Sequence, residues 1–271
     1  MTTLKDAIYG FAVGDAIGVP YEFKERGTFK AKGMVGYGTH DQPAGTWSDD
    51  TATVLATCAS IKDCKGINTQ DMTERFRKWL YDGAYTIDGT FDVGNTTKKA
   101  LEQNKGCNGE QDSGNGSLMR ILPLAFTNAS TEQIQAVSAI THANEISTKA
   151  CVVYVRYAQA LIAKARPVES LKAMGIKDKE FSRLKSIKRL VRSDIKSSGY
   201  ALDTLEAAIW CVVTTSSYSA CVLRAINLGG DTDTIGALAG ALAGITYGYC
   251  GIPAEWIDIL RGKDIIENSL F

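Results

Sequence analysis

Histidine is almost missing from this chain: His40 and His142 are the two among 271 residues. That excludes His-rich zinc and iron centres and leaves a Ser-His-Asp triad room only around one of these two. Net charge is missing as well, because thirty basic residues balance thirty acidic ones. Nothing global steers such a chain to nucleic acid or to an anionic membrane, so any anion it binds must be held by local geometry. No CxxC and no zinc spacing occurs among the seven cysteines, and an odd number of them, mostly in apolar helical stretches, reads as reduced thiols in a cytosolic protein. No membrane-length apolar run occurs either. The most apolar window, Ile235 to Ile252, is rich in Gly and Ala and is expected to be a buried helix. At the N-terminus Lys5, Asp6 and Asp15 interrupt any signal-peptide core, which points to a cytoplasmic location.

Alternating strands and a βαβ rhythm are absent too. Helical periodicity recurs instead. Met72, Phe76, Trp79 and Leu80 mark one apolar face. Ile134, Val137 and Ile140 mark another, opened by a Ser130-x-x-Gln133 capping box. A third runs from Cys151 to Ile162 and stops at Pro167; Phe181, Leu184, Ile187 and Val191 predict a fourth, and Leu205 to Val212 a fifth. The fold class is therefore all-α, a single compact multi-helix domain over residues 1–271. The longest irregular region, about 85–117, is broken by a short helix near Thr96–Asn104 and is long enough to be functional.

Glycines recur every fourth residue at Gly10, Gly14 and Gly18 and again at Gly236, Gly240, Gly244 and Gly248. Each costs a soluble helix about 1 kcal/mol relative to alanine. A repeat on one face implies close helix–helix approach and places the second helix at the centre of the molecule.

What remains for chemistry is carboxylates and hydroxyls, hard oxygen ligands suited to magnesium, manganese or calcium. They gather at two helix starts, Thr46-Trp47-Ser48-Asp49-Asp50-Thr51 and Asp231-Thr232-Asp233-Thr234. One such cluster reads as N-capping. Two clusters leave carboxylates over. If they converge, four acidic groups share one pocket and repel unless cations neutralise them, and that number suits two ions about 3.5–4 Å apart. DTDT also matches the nucleophile motif of haloacid-dehalogenase-like phosphatases. The order of acidic motifs is reversed here, however, and the 37 residues after Thr234 cannot build the remaining sheet. Trp47 is expected to pack against the acidic loop. Arg183, Lys185, Lys188, Arg189 and Arg192 read as a solvated face, and Arg120 as a structural ion pair or a phosphate clamp.

Seven segments in register, GFAVGDAIGVPYEF, GTWSDDT, FDVGNTT, DSGNGSLMRILP, ITHANE, SGYALDTLEAAIW and NLGGDTDTIGALAGALAG, resemble the ADP-ribosylglycohydrolase family over nearly the whole chain. The resemblance implies a compact all-α fold and a hydrolase that removes ADP-ribose from a modified protein side chain, nucleic acid or small conjugate. It implies two Mg2+ ions, with Mn2+ as the alternative. The implied metal ligands are Ser48, Asp49 and Asp50 from one group and Asp231, Asp233 and Thr234 from the other. Ser48 stands where many relatives carry threonine. Glu22 matches a glutamate that reaches the metals in some relatives, with a solvated helix-end carboxylate as the competing reading. Asp49, Asp50 and Glu22 are the candidate acids and bases.

Asn115, Gly116 and Ser117 match a pyrophosphate-binding segment, where glycines let the backbone approach an anion. His142 matches a ligand-contacting position, with packing as its competitor, and Gly199-Tyr200 matches the adenosine or ribose end. Asp92 and Asn95 lie in a matching loop without an assigned role. A non-catalytic ADP-ribose-binding member of the same fold is the alternative function. The expected partner is ADP-ribose or an ADP-ribosylated substrate, without a membrane, with nucleic acid only as a modified substrate, and with a monomer as the default state.

Overall fold

The computed structural model describes residues 2–163 and 166–271. Its first helix, α1 (Leu4–Gly18), starts at a capping box in which Thr3 and Asp6 satisfy each other's backbone amides. Then come α2 (Asp49–Cys64), α3 (Thr69–Asp82), α4 (Asn95–Gln103), α5 (Thr131–Ala139), α6 (Glu145–Ile162) and α7 (Pro167–Ala173). The chain closes with α8 (Ala201–Val213), α9 (Tyr218–Ile226), α10 (Thr232–Tyr247), α11 (Ala254–Ile259) and α12 (Lys263–Ser269). Among the described residues no strand forms. Two isolated bridges, Cys107 with His142 and Gly114 with Tyr200, pin the glycine-rich loop before Ser117 to the starts of α6 and α8.

The glycine rows explain the centre of the molecule. Every residue of α10 from Thr232 to Ile245 is buried. A Cβ on Gly10 would strike Gly240, one on Gly14 would strike Gly236, and one on Gly18 would strike Asp233, so α1 runs antiparallel to α10 with the backbones in contact. Gly248 departs from the expected row: it ends α10 with φ of 74° instead of joining the contact. Buried tyrosines around this pair find main-chain acceptors, with Tyr218 Oη donating to Gly10 O at 2.6 Å and Tyr154 Oη to Leu238 O at 3.0 Å. One buried cluster spans the chain from Leu4 to Ile266.

The capping box at Ser130 and Gln133 forms as the sequence indicates. The fourth helix does not form as an α-helix. Residues Ser182–Arg189 make a 3-10 helix, whose three-residue repeat turns Leu184 and Ile187 inward and leaves Val191 exposed. The basic stretch beside it divides. Lys185, Lys188 and Arg189 are solvated, whereas Arg183 grips Glu206 through Nε and Nη2, both at 2.8 Å, and Arg192 donates to Asn227 O. Trp47 is buried against Gly262, where α12 starts.

Candidate active site

The antiparallel α1–α10 contact carries the end of α1 to the start of α10, and α2 begins at the same place. Asp15, fully buried on α1, caps α2 from outside. Its Oδ1 accepts from the Ser48 amide at 3.0 Å, and its Oδ2 accepts from the Thr51 amide at 3.0 Å and the Thr51 hydroxyl at 2.6 Å. Ser48 Oγ accepts from the Asp50 amide at 3.3 Å. The Ser48, Asp50 and Thr51 amides are thus satisfied without the Asp50 carboxylate, which is free to face the interior.

Asp50 does so with no partner on either oxygen. Among the described residues eight buried side-chain atoms lack a hydrogen-bond partner; four of them are Asp50 Oδ1 and Oδ2, Asp231 Oδ1 and Asp233 Oδ2. Native structures leave few such atoms, and bare carboxylate oxygens aimed at one another call for a cation. Asp15, Asp50 and Asp233 each offer an oxygen, all three within 4.8 Å of one another; Glu22, Asp231 and Asp233 do the same. Asp233 belongs to both groups. Its Oδ1 accepts from the Thr234 amide at 2.9 Å, which leaves Oδ2 free. This oxygen-only donor set fits divalent metal.

The electrostatics agree. Burial, and then the neighbouring carboxylates, push Asp49, Asp50 and Asp233 well above the usual carboxylate range. Glu22 is pushed up to about 8 by burial and then by Asp231, and Asp92 to about 7 by burial and then by Glu22. Asp15 rises to about 6 by burial, held down in part by its bonds from Thr51 and Ser48. A bound cation reverses this preference and holds such groups ionised.

A hollow of about 260 Å³ opens on this acidic cup. Glu22, Asp49, Asp92, Asp231 and Thr234 line it together with Gly114, Asn115, Gly116 and His142. Asn115 Nδ2 donates to Asp231 Oδ2 at 2.7 Å, tying the glycine loop to the cup. Gly116 is required, because a Cβ there would stand 2.6 Å from His142 Cε1.

His142 is buried and pushed down to about 3 by burial and by the Arg120 charge, so it is neutral. Arg120 Nη2 donates to Thr141 Oγ1 at 2.7 Å. Among the described residues His142 Nδ1, 2.8 Å away, is the one acceptor within reach of the Thr141 hydroxyl proton, which favours the tautomer with its ring proton on Nε2, beside the hollow. Arg120 is neither of the two roles considered from sequence. Among the described residues it forms no carboxylate ion pair; it donates to Gly116 O and stacks 4.7 Å over Phe76.

The Ser117 hydroxyl stands further back, buried against Ser138 Oγ at 2.8 Å and Cys151 Sγ at 3.5 Å. Gly199 O accepts from the Asn115 amide at 3.0 Å, a Cβ on Gly199 would stand 3.4 Å from Asp231 Oδ2, and Tyr200 bridges Gly114 through the backbone, so SGY borders both the loop and the cup. Asp15 and His40 were not assigned to the site from sequence, and Asp92 was placed in a matching loop without a role. Asp15 had a readable signal, one carboxylate inside the apolar run GFAVGDAIG. His40, which contacts Glu22, had none.

The profile of the ADP-ribosylglycohydrolase family matches residues 3–270. The chain is 32% identical over 286 residues to the ADP-ribosylarginine hydrolase Tri1 of Pseudomonas putida, covering 97% of this chain and 76% of that one. It is 32% identical over 282 residues to the ADP-ribosyl-[dinitrogen reductase] glycohydrolase of Rhodospirillum rubrum, covering 95% and 90%. A solved ADP-ribosylglycohydrolase-related protein complex superposes with a TM-score of 0.80 at 29% identity, covering 97% of this chain and 94% of that one. The chain belongs to the ADP-ribosylglycohydrolase family, hydrolases that act on the glycosyl bond of ADP-ribose.

Proposed function

We propose that this enzyme hydrolyses the bond between the ribose anomeric carbon of ADP-ribose and an arginine guanidinium, with two divalent cations, magnesium or manganese, in the acidic cup. The observation that carries the reading is the convergence of Asp50, Asp231 and Asp233 with bare buried oxygens. Asp15, Asp50 and Asp233 would hold one ion, and Glu22, Asp231 and Asp233 the other. Asp49 and Thr234 line the hollow beside the cup, and the Ser48 hydroxyl caps α2. When bound, the ions would lower the pKa of water and screen developing negative charge.

The protein's own groups do the rest. Glu22 Oε2 is taken by His40 and Oε1 would face the second ion, so Asp49, buried beside the hollow, is the carboxylate best placed to receive the proton of attacking water. His142 Nε2–H donates to a ligand oxygen, and the Gly114–Ser117 loop takes the diphosphate, whose remote binding positions the anomeric carbon for an oxocarbenium-like transition state. A guanidinium acceptor suits this mouth: it is acidic, and the 69% exposed Phe23 ring on its rim offers a cation–π face. The name of the Pseudomonas relative, an ADP-ribosylarginine hydrolase, supports the same acceptor class. We place the enzyme in the reducing cytosol as a monomer, where its seven cysteines remain thiols.

A panel of ADP-ribosyl peptides linked through arginine, serine or an ester, assayed with Mg2+, Mn2+ or excess chelator, tests this. Release of ADP-ribose from the arginine conjugate, abolished by chelator, is expected. Release from the serine conjugate alone overturns the acceptor. Full turnover in chelator overturns the metals. Binding of ADP-ribose without release from any conjugate would make the chain a binding module.

A further inference from the structure

His40 sits against Glu22 and Asp92 of the cup, on a loop built to hold it in one place. Tyr37, Gly38 and Asp41 take φ of 64°, 81° and 51°, three left-handed residues in five. Left-handed backbone at a residue other than glycine costs about 1–3 kcal/mol and persists only where its surroundings over-determine it. Here they do. The Tyr37 amide closes the loop on Gln42 O at 2.5 Å, and any side chain on Gly38 would strike the Pro20 backbone. Thr39 Oγ1 donates to Glu22 O at 2.7 Å. At the loop's tip His40 Nε2 hydrogen-bonds Glu22 Oε2 and lies 3.8 Å from Asp92 Oδ1. Phe91 and Phe23 flank its ring, with centroids 5.3 and 6.1 Å away.

The loop thus grips Glu22 twice, by main chain and by carboxylate. The grip has a purpose. Glu22 follows the end of a short 3-10 turn and faces Asp231 and Asp233, groups of like charge that would drive a free side chain out of the cup. We propose that His40 is a positioning residue: its Nε2–H ties Glu22 Oε2 toward Asp92 and keeps Glu22 Oε1 aimed at Asp231 and Asp233. This rests on the reading of the cup as the metal-dependent active site.

His40→Phe keeps the ring between Phe23 and Phe91 but removes the donor. His40→Gln keeps an N–H donor at about the reach of Nε2. Both are compared with the wild-type enzyme by melting temperature, by kcat and KM on an ADP-ribosyl-arginine peptide, and by calorimetric titration of Mn2+. Removing a hydrogen-bond partner of a metal-site carboxylate lowers activity or metal affinity about 10–100-fold. We expect His40→Phe to melt near wild type, with kcat or Mn2+ affinity reduced by that factor and KM little changed, and His40→Gln to recover most of the loss. A folded His40→Phe with wild-type kcat and Mn2+ affinity overturns the proposal, as does a folded His40→Gln no better than His40→Phe. If wild type releases no ADP-ribose, the functional reading fails on its own. The Mn2+ titration then decides for His40: weakened by Phe and restored by Gln supports the tie, and equal affinities in all three refute it.

Discussion

A methyl group on Gly236 would stand 2.6 Å from the carbonyl oxygen of Gly14, so the two central helices touch through their main chains. This contact sets where Asp15 meets Asp50 and Asp233. Gly14→Ala must therefore separate α1 from α10, and overpacking of this kind costs about 1–3 kcal/mol. We expect a melting temperature lower by several degrees and a cation affinity lowered with it, since the two acidic groups sharing Asp233 move apart. Gly66→Ala is the control, because nothing lies within 4 Å of a Cβ there. Thermal melts with and without Mn2+ on both variants check this, and equal behaviour of the two would contradict the packing argument.

Asp50 has a cost and a use that a single substitution separates. Its two bare, buried oxygens repel Asp15 and Asp49 when ionised. Asp50→Asn removes that charge. In chelator the variant is expected to melt above wild type by the equivalent of about 1 kcal/mol or more. With Mn2+ the order reverses, because the variant loses a ligand, and turnover is expected to fall by at least about 100-fold. A variant that responds to Mn2+ as wild type does would remove Asp50 from the metal site.

Legibility followed the range of the interaction. The Ser130 capping box, the glycine rows and the acidic helix starts are local patterns, and each could be read from a few consecutive residues. The facing of the two acidic clusters stood in the sequence only as a condition and as an implication of the family resemblance, because the glycine rows pair α1 with α10 and leave the start of α2 unplaced. Asp92 was opaque because its position depends on a left-handed backbone, φ of 57°, at a residue where composition alone does not demand one. His40 was opaque because its partner lies 18 residues away along an irregular segment. Arg120 stayed open between an ion pair and a phosphate clamp because its neighbours come from distant segments; Gly116 O, the Thr141 hydroxyl and the Phe76 ring accommodate it. The expected α-helix at 181–191 failed because spacings of three suit a 3-10 helix as well as an α-helix.

His142 is expected to bind ligand as a neutral donor and to take no part in proton transfer. His142→Phe removes one hydrogen bond, worth about 1.5 kcal/mol, and should weaken ADP-ribose binding about tenfold. Mn2+ affinity should stay within about twofold of wild type, because no metal-site carboxylate bonds His142 directly. Gly116→Ala should mimic the loss by pressing on Cε1. Calorimetry with ADP-ribose and, separately, with Mn2+ distinguishes this from general damage to the site, which would lower both affinities.

Stability against pH gives the most direct view of the cup. Glu22 moves from 4.5 when unfolded to about 8 when folded, and Asp92 from 3.8 to about 7. Between pH 6.5 and 8 the unfolded chain has lost these protons while the metal-free fold still retains part of them. The folded state binds more protons, so its stability falls as pH rises through this window. His142 acts in the opposite direction, but only below its unfolded value of 6.5, because burial lowers it to about 3 in the fold. In chelator the melting temperature should therefore fall by several degrees from pH 6.5 to 8.5. Millimolar Mg2+ or Mn2+ should restore it, and restore more at higher pH, because the ions bind the carboxylates that deprotonation leaves exposed to one another. A chelated protein whose melting temperature stays flat or rises across this window would mean that the carboxylates of the cup do not crowd one another as their buried positions require.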